Sequence, residues 1–259
     1  MNHWTQLSCD YANQRNYLDE LFRVYPMAPE GVREPCEEAW NDVESAFKRK
    51  DNVALFKALL KMHVFPLKDS YVAYLRRDNT AIDRNPNTIA RLCGRIYQLG
   101  LNDIYRLCTA PAETNRQIGP LFRNWLRKGE LGAKVITVSE FDKKNGNQII
   151  MGSDAELLHA ASELCGYEGA KGLDLLAYFN GKFIIGEAKF LTDFGGHQNA
   201  QFADAVAVLN NAPASLISVA ILDGVLYIPG NHKFRKHMAA KPKHTILSAL
   251  VLREFLYQV

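Results

Sequence analysis

Two carboxylates and one ammonium, those of Asp174, Glu187 and Lys189, lie in the segment GLDLLAYFNGKFIIGEAK, residues 172–189. The segment reads as two short apolar strands joined by Asn180-Gly181, a pair that favours a two-residue type I′ turn. That turn sets the register. Residue 179 faces 182, so Asp174 falls opposite Glu187. Side chains alternate faces along a strand, which puts Lys189 on the face of Glu187. Carboxylates directly opposite one another stand about 4.5–5.5 Å apart and repel. A divalent cation between them reverses that penalty. Carboxylate oxygens are hard ligands suited to Mg²⁺, which keeps several waters and accepts one or two carboxylates plus substrate phosphate. Such an ion lowers the pKa of water and offsets charge on a phosphoryl oxygen. The Ala188 carbonyl, between Glu187 and Lys189, would complete the ligand set. Lys189 would orient or deprotonate an attacking water, or offset charge on the phosphate. Gly186 leaves the opposite face of its strand open to close packing.

An ordinary hairpin can carry the same three residues on a solvent face. Here Leu173, Leu175, Leu176, Phe183, Ile184 and Ile185 make both strands apolar on both faces, which predicts a buried hairpin. Charges buried there need partners.

The pattern of an Asp at the start of one strand, then Glu-x-Lys on the next antiparallel strand, resembles the PD-(D/E)xK nuclease superfamily, in the form used by type II restriction endonucleases. In this sequence it is Asp174 followed by Glu187-Ala188-Lys189, within a resemblance spanning residues 150–225. Leu173 departs from the pattern's proline, which is often absent in the superfamily. The continuation FLTDFGGHQNAQF, residues 190–202, is also similar to restriction-endonuclease sequence. The resemblance implies a Mg²⁺-dependent endonuclease that cuts specific double-stranded DNA as a homodimer on a two-fold symmetric site. Two rival functions share these features. One is a repair or recombination nuclease acting on DNA structure. The other is a non-catalytic DNA-binding regulator.

The elements that must position this hairpin follow from periodicity and caps. Helices are expected over Tyr11–Val24, from Pro35 to about Lys50, and over VALFKALLKMHVF after a cap at Asp51 or Asn52. Asn85-Pro86 opens a helix that Gly100 stops, and LNDIYRLC forms a short one after it. Thr114 caps a further helix through Trp125 and Lys128. Past Gly132 the pattern changes. KVITVSEF alternates as a strand, Ser153 caps a helix, and the hairpin follows. His197–Asn210 is helical, SLISVAILDG is a buried strand, and residues 231–244 form a basic loop. TILSALVLREFLYQV closes the chain as an amphipathic helix. The expected fold is α/β, a restriction-endonuclease-like mixed β-sheet core flanked by helices, after a mostly helical N-terminal half. The division falls at residues 1–131, for DNA recognition, dimerisation or both, and 132–259, the catalytic core.

Secondary sites are assigned on side-chain type and position. Glu163, late in the helix before the hairpin, is an accessory acid that the resemblance would bring towards the metal. Gln198 and Gln201 share a helix face just past the site and would contact the DNA backbone or the lysine. Asp193 and His197 flank Gly195-Gly196 in the loop after Lys189. Asn115, Arg116, Gln117 and Arg123 carry groups that read adenine and guanine edges.

Net charge is only +3, but it is uneven. Residues 10–51 hold ten acidic and six basic side chains, and residues 73–135 hold eleven basic and five acidic ones. Residues 231–244 hold five Lys/Arg, three His and no acid, which marks Lys233, Arg235 and Lys236 as phosphate contacts. Hydrophobic residues at 47% and charged residues at 23% describe a globular chain. No apolar run approaches the roughly 18 residues of a membrane span, and no signal-peptide pattern opens the sequence, so a cytoplasmic protein is expected. The five cysteines are scattered, which argues against a zinc site or a disulfide framework.

Overall fold

The computed structural model describes residues 1–26, 37–62, 64–110, 114–169 and 172–259, with the side chains of 114–116 outside that description. The chain divides into two compact units. One contains residues 1–27 and 113–259, and the other residues 28–112. The helical unit therefore interrupts the first in sequence. This differs from a division at residue 131, because both flanking helical stretches group with the sheet.

In chain order the helices are α1 (His3–Ala12), α2 (Tyr17–Val24), α3 (Glu37–Lys48), α4 (Asn52–Lys61), α5 (Ser70–Arg77), α6 (Ala81–Arg84), α7 (Pro86–Cys108), α8 (Thr114–Arg127), α9 (Asp154–Cys165), α10 (His197–Asn211), α11 (Lys233–Ala240) and α12 (Leu252–Gln258). The strands are β1 (Lys134–Thr137), β2 (Gln148–Met151), β3 (Leu175–Phe179), β4 (Lys182–Leu191), β5 (Ile217–Gly224) and β6 (Ile246–Leu247). They form one six-stranded sheet in sequence order. Pairs β2–β3 and β3–β4 are antiparallel, while β1–β2, β4–β5 and β5–β6 are parallel. This is the mixed sheet flanked by helices that the sequence predicts.

The β3–β4 turn takes the expected form, with positive φ at Asn180 (51°) and Gly181 (82°). Phe179 pairs with Lys182 and Leu175 with Gly186, so the register is the one the turn predicts. Leu175, Ala177, Phe179, Ile184 and Ala188 face one core. Leu176 and Ile185 face a second core with Leu157, Ala161 and Tyr167. A Cβ at Gly186 would stand 3.0 Å from both the side chain and the carbonyl of Val219, so β4 approaches β5 closely there.

Several expectations are corrected. The helix expected over Tyr11–Val24 is two helices. Asn13 donates its amide to the Cys9 carbonyl at 2.6 Å, and Asn16 takes a left-handed φ of 70°, which together break it. Strand β2 was not expected, since its four residues carry no alternation and are all buried. The C-terminal helix begins only at Leu252, after β6 and a 3₁₀ turn over Ala249–Val251. Residues 233–240 are helix α11 rather than loop. Helices α5 and α6 also went unpredicted.

Other local expectations hold. Ser153 and Glu156 form a reciprocal capping box at the start of α9. Asp51 accepts from the Ala54 N–H at 3.0 Å to cap α4. Gly100, with φ 77°, divides α7 where a stop was predicted. In the helical unit, Phe56, Leu59, Ile89, Leu92 and Ile96 form a core of their own. Pro35 and Cys36 lie outside the described residues.

A buried carboxylate ties α2 to the sheet. Asp223, near the end of β5, accepts from Tyr17 Oη (3.1 Å), Tyr25 Oη (3.0 Å), Ser248 Oγ (2.5 Å) and the Ala249 N–H (3.1 Å). Burial pushes its pKa up, and these four donors pull against that rise.

Candidate active site

The face of β4 that carries Ile185 continues through Glu187 to Lys189, so an apolar stripe turns polar at the strand's far end. Asp174 precedes β3, and its N–H donates at 3.1 Å to the carbonyl of Gly186, the partner of Leu175, so the regular pairing ends at Leu175. The Asp174 and Glu187 side chains converge on one ammonium. Lys189 Nζ is hydrogen-bonded to Glu187 Oε1 and lies 4.0 Å from Asp174 Oδ2. Asp174 Oδ2 also accepts from the Ala188 N–H at 3.1 Å. In a strand the N–H and C=O of one residue face the same side, so the Ala188 carbonyl faces the Asp174 side as well.

Both acids are nearly enclosed, Asp174 at 8% exposure and Glu187 at 9%. Burial raises the Glu187 pKa to about 7, helped by the neighbouring Asp174 and opposed by Lys189. Burial raises the Asp174 pKa too, against Lys189, the Ala188 N–H and Arg123. Two carboxylates held together out of water favour a proton or a cation between them. Among the described residues there is no group of three or more His, Cys, Asp and Glu able to hold a metal. An all-oxygen pair on one side fits an ion that keeps most of its waters, as Mg²⁺ does.

Arg123 was expected to read bases, but its guanidinium turns inward. Its Nη1 is hydrogen-bonded to Asp154 Oδ1 and lies 3.5 Å from Asp174 Oδ1. Glu163 is not brought to the pair. Its side chain is 66% exposed on α9 and meets His159 at 3.4 Å. Gln198 is buried and accepts from the Thr192 N–H at 3.1 Å, tying the start of α10 to the end of β4. Gln201 is half-buried on the same helix. Asp193 caps its own loop by accepting from the Phe194 N–H at 2.6 Å, and His197 is exposed. Gln117 is half-buried, and the side chains of Asn115 and Arg116 lie outside the described residues. Lys233 and Lys236 are exposed on α11. Arg235 between them is half-buried, with Nη1 enclosed and without a hydrogen-bond partner.

Sequence reasoning missed Asp154, which stands beside Asp174 across Arg123, and Asp204 on α10, close enough to Glu187 to raise its pKa slightly. Neither carries a local signal, because their partners lie on other elements.

The family model of the Tsp45I type II restriction enzyme matches residues 2–259, nearly the whole chain. The chain belongs to the Tsp45I type II restriction enzyme family. This restriction enzyme is accordingly a site-specific deoxyribonuclease with DNA as its substrate. That membership sets aside both rival functions, the structure-specific repair nuclease and the non-catalytic regulator. The sheet and its flanking helices are the restriction-endonuclease-like core. No curated protein and no solved structure matches the chain. Among the described residues no helix is long and apolar enough to cross a membrane.

Proposed function

We propose that this restriction enzyme cuts both strands of duplex DNA through a PD-(D/E)xK site built from Asp174, Glu187 and Lys189. The observation that carries the reading is the convergence of two buried carboxylates on Lys189 at the open end of the β3–β4 hairpin. Asp174, Glu187 and the Ala188 carbonyl would hold Mg²⁺. Such an ion supplies positive charge at the scissile phosphate and eases ionisation of water.

The chain's own residues do the rest. The Ala188 N–H fixes one Asp174 oxygen, and the other faces α8 and Arg123. Lys189 brings a compact cation to the two acids, where its ammonium can orient a water or, once it has given up a proton, its amine can accept one. The exposed Lys233 and Lys236 would position the duplex through phosphates, with Arg235 beside them. The segment Asn115-Arg116-Gln117 at the start of α8 would read base edges. Gln201 would meet the backbone near the site, whereas Gln198 serves to hold α10 in place. The helices before residue 132 would supply DNA recognition, dimerisation or both, in a cytoplasmic homodimer matched to a two-fold symmetric target.

Digestion of plasmid DNA with Mg²⁺, and with EDTA in its place, tests the whole reading. Discrete fragments with uniform ends are expected with Mg²⁺ alone. Cleavage in EDTA would remove the metal site, and a smear of random ends would remove sequence specificity. Analytical ultracentrifugation with and without DNA checks the dimer.

A further inference from the structure

Arg123 is the second cation on Asp174, and its surroundings are specific. It lies on α8 one helical turn after Gly119, so both face the same side. A Cβ at Gly119 would stand 2.9 Å from Asp174 Oδ1, so the helix backbone itself is pressed against that carboxylate. The same oxygen, Asp174 Oδ1, is the one Arg123 approaches at 3.5 Å. It is also the oxygen left free by the Ala188 N–H, which engages Oδ2. Arg123 is only 19% exposed, while Asp154, its hydrogen-bonded partner, is 68% exposed at the first turn of α9. One guanidinium nitrogen is therefore shared between a buried acid and a solvated one.

We propose that Arg123 is a positioning residue that competes with the metal for Asp174, with Asp154 as the tether that receives it. Without a metal, the guanidinium offsets the buried Asp174 charge at an ion-pair distance longer than a hydrogen bond. When a divalent cation takes Asp174, like-charge repulsion drives the guanidinium off, and Asp154 holds it beside the site rather than releasing it to solvent. The contact sets how much metal the DNA-free enzyme holds. The inference rests on the metal-site reading above.

Mn²⁺ titration of the full-length, DNA-free protein, followed by the electron paramagnetic resonance of free Mn²⁺, tests it. Arg123→Gln should bind Mn²⁺ about threefold to tenfold more tightly than the native protein, and Asp154→Asn about threefold more weakly, as coupled neighbours do. In the Arg123→Gln background the Asp154→Asn effect should vanish. Unchanged or weaker binding by Arg123→Gln overturns the proposal. An Asp154→Asn loss of equal size in both backgrounds also overturns it, because Asp154 would then hold the metal directly. Should Arg123→Gln fail to fold by circular dichroism, Arg123→Lys carries the test with the same sign, since one ammonium cannot span both acids as a guanidinium does. Asp174→Asn is the control. Native-like Mn²⁺ binding by that variant means the metal-site reading has failed, and the proposal falls with it.

Discussion

The Ala188 N–H donates to Asp174 Oδ2 at 3.1 Å, across the open end of the β3–β4 hairpin. This bond points one carboxylate oxygen at the backbone and leaves the other, Oδ1, turned towards α8 and Arg123. Asp174 is thus held by the strand that carries Glu187 and Lys189. Asp174→Asn and Glu187→Gln should each lower single-turnover cleavage by about three orders of magnitude or more, the several kcal/mol a bound cation contributes. Gel shifts without metal should show DNA binding retained or tightened, because each change removes a negative charge near the phosphates. Cleavage at the native rate in either variant would rule out this pair as the metal site.

Lys189→Arg should not rescue Lys189→Ala. Arginine keeps the charge but spreads it over a plane and stays protonated, whereas a lysine among buried acids is a compact cation able to exchange its proton. Both variants should cleave about a hundredfold more slowly or worse, the usual worth of a positioned proton-transfer group. A native rate for Lys189→Arg under saturating Mg²⁺ would exclude proton transfer by this residue.

The Glu187 pKa makes the metal-free protein sensitive to pH. Burial and Asp174 raise it to about 7 in the fold, above the ordinary 4.5 it regains on unfolding. The folded state therefore binds the extra proton. The stability this contributes is full below about pH 4.5 and is lost as pH rises through about 7, on the order of 3 kcal/mol in all. Asp174, raised in the same direction, adds to the trend. Thermal melts in EDTA should therefore show Glu187→Gln gaining on the native protein as pH rises from 5 to 8. A constant difference across that range would show that Glu187 is not protonated in the fold.

Lys233 and Lys236 are exposed on the same short helix, where phosphate contact is expected. Changing both to Gln should weaken binding to cognate and random duplexes alike, and should flatten the salt dependence by about one unit of slope per lost contact. Gln117→Ala, by contrast, should cost about 1–3 kcal/mol on the cognate site alone. Titrations of both duplexes at several salt concentrations separate the two. Equal losses on both duplexes for Gln117→Ala would reduce α8 to a scaffold at its N-terminal end.

Asp223→Ala should destabilise the enzyme by about 3 kcal/mol or more in urea denaturation. It strands the hydroxyls of Tyr17, Tyr25 and Ser248, which donate to Asp223 in a site closed to water. A loss below about 1 kcal/mol would mean those hydroxyls find other partners, and the network would not be what holds α2 to the sheet.

The sequence by itself determined the hairpin and its register. Asn180-Gly181 permits one tight turn, and the turn permits one pairing, which runs from Phe179–Lys182 to Leu175–Gly186 and leaves Asp174 just past its end. All of that is short-range geometry. The caps at Asp51 and Ser153 and the break at Gly100 were legible for the same reason. Tertiary structure decided what local rules cannot reach. Strand β2 and the two residues of β6 exist because they complete a sheet, not because their own pattern demands it. Asp223 reads in the sequence as the end of a strand, and only the fold shows that Tyr17 and Tyr25 return to it and tie α2 to the sheet. Arg123 has the side chain of a base reader. Packing of α8 against the hairpin, allowed by the missing side chain at Gly119, turns it onto Asp174 and Asp154 instead. A guanidinium goes to the strongest unsatisfied charge within reach, and which charges are within reach is a property of the folded chain.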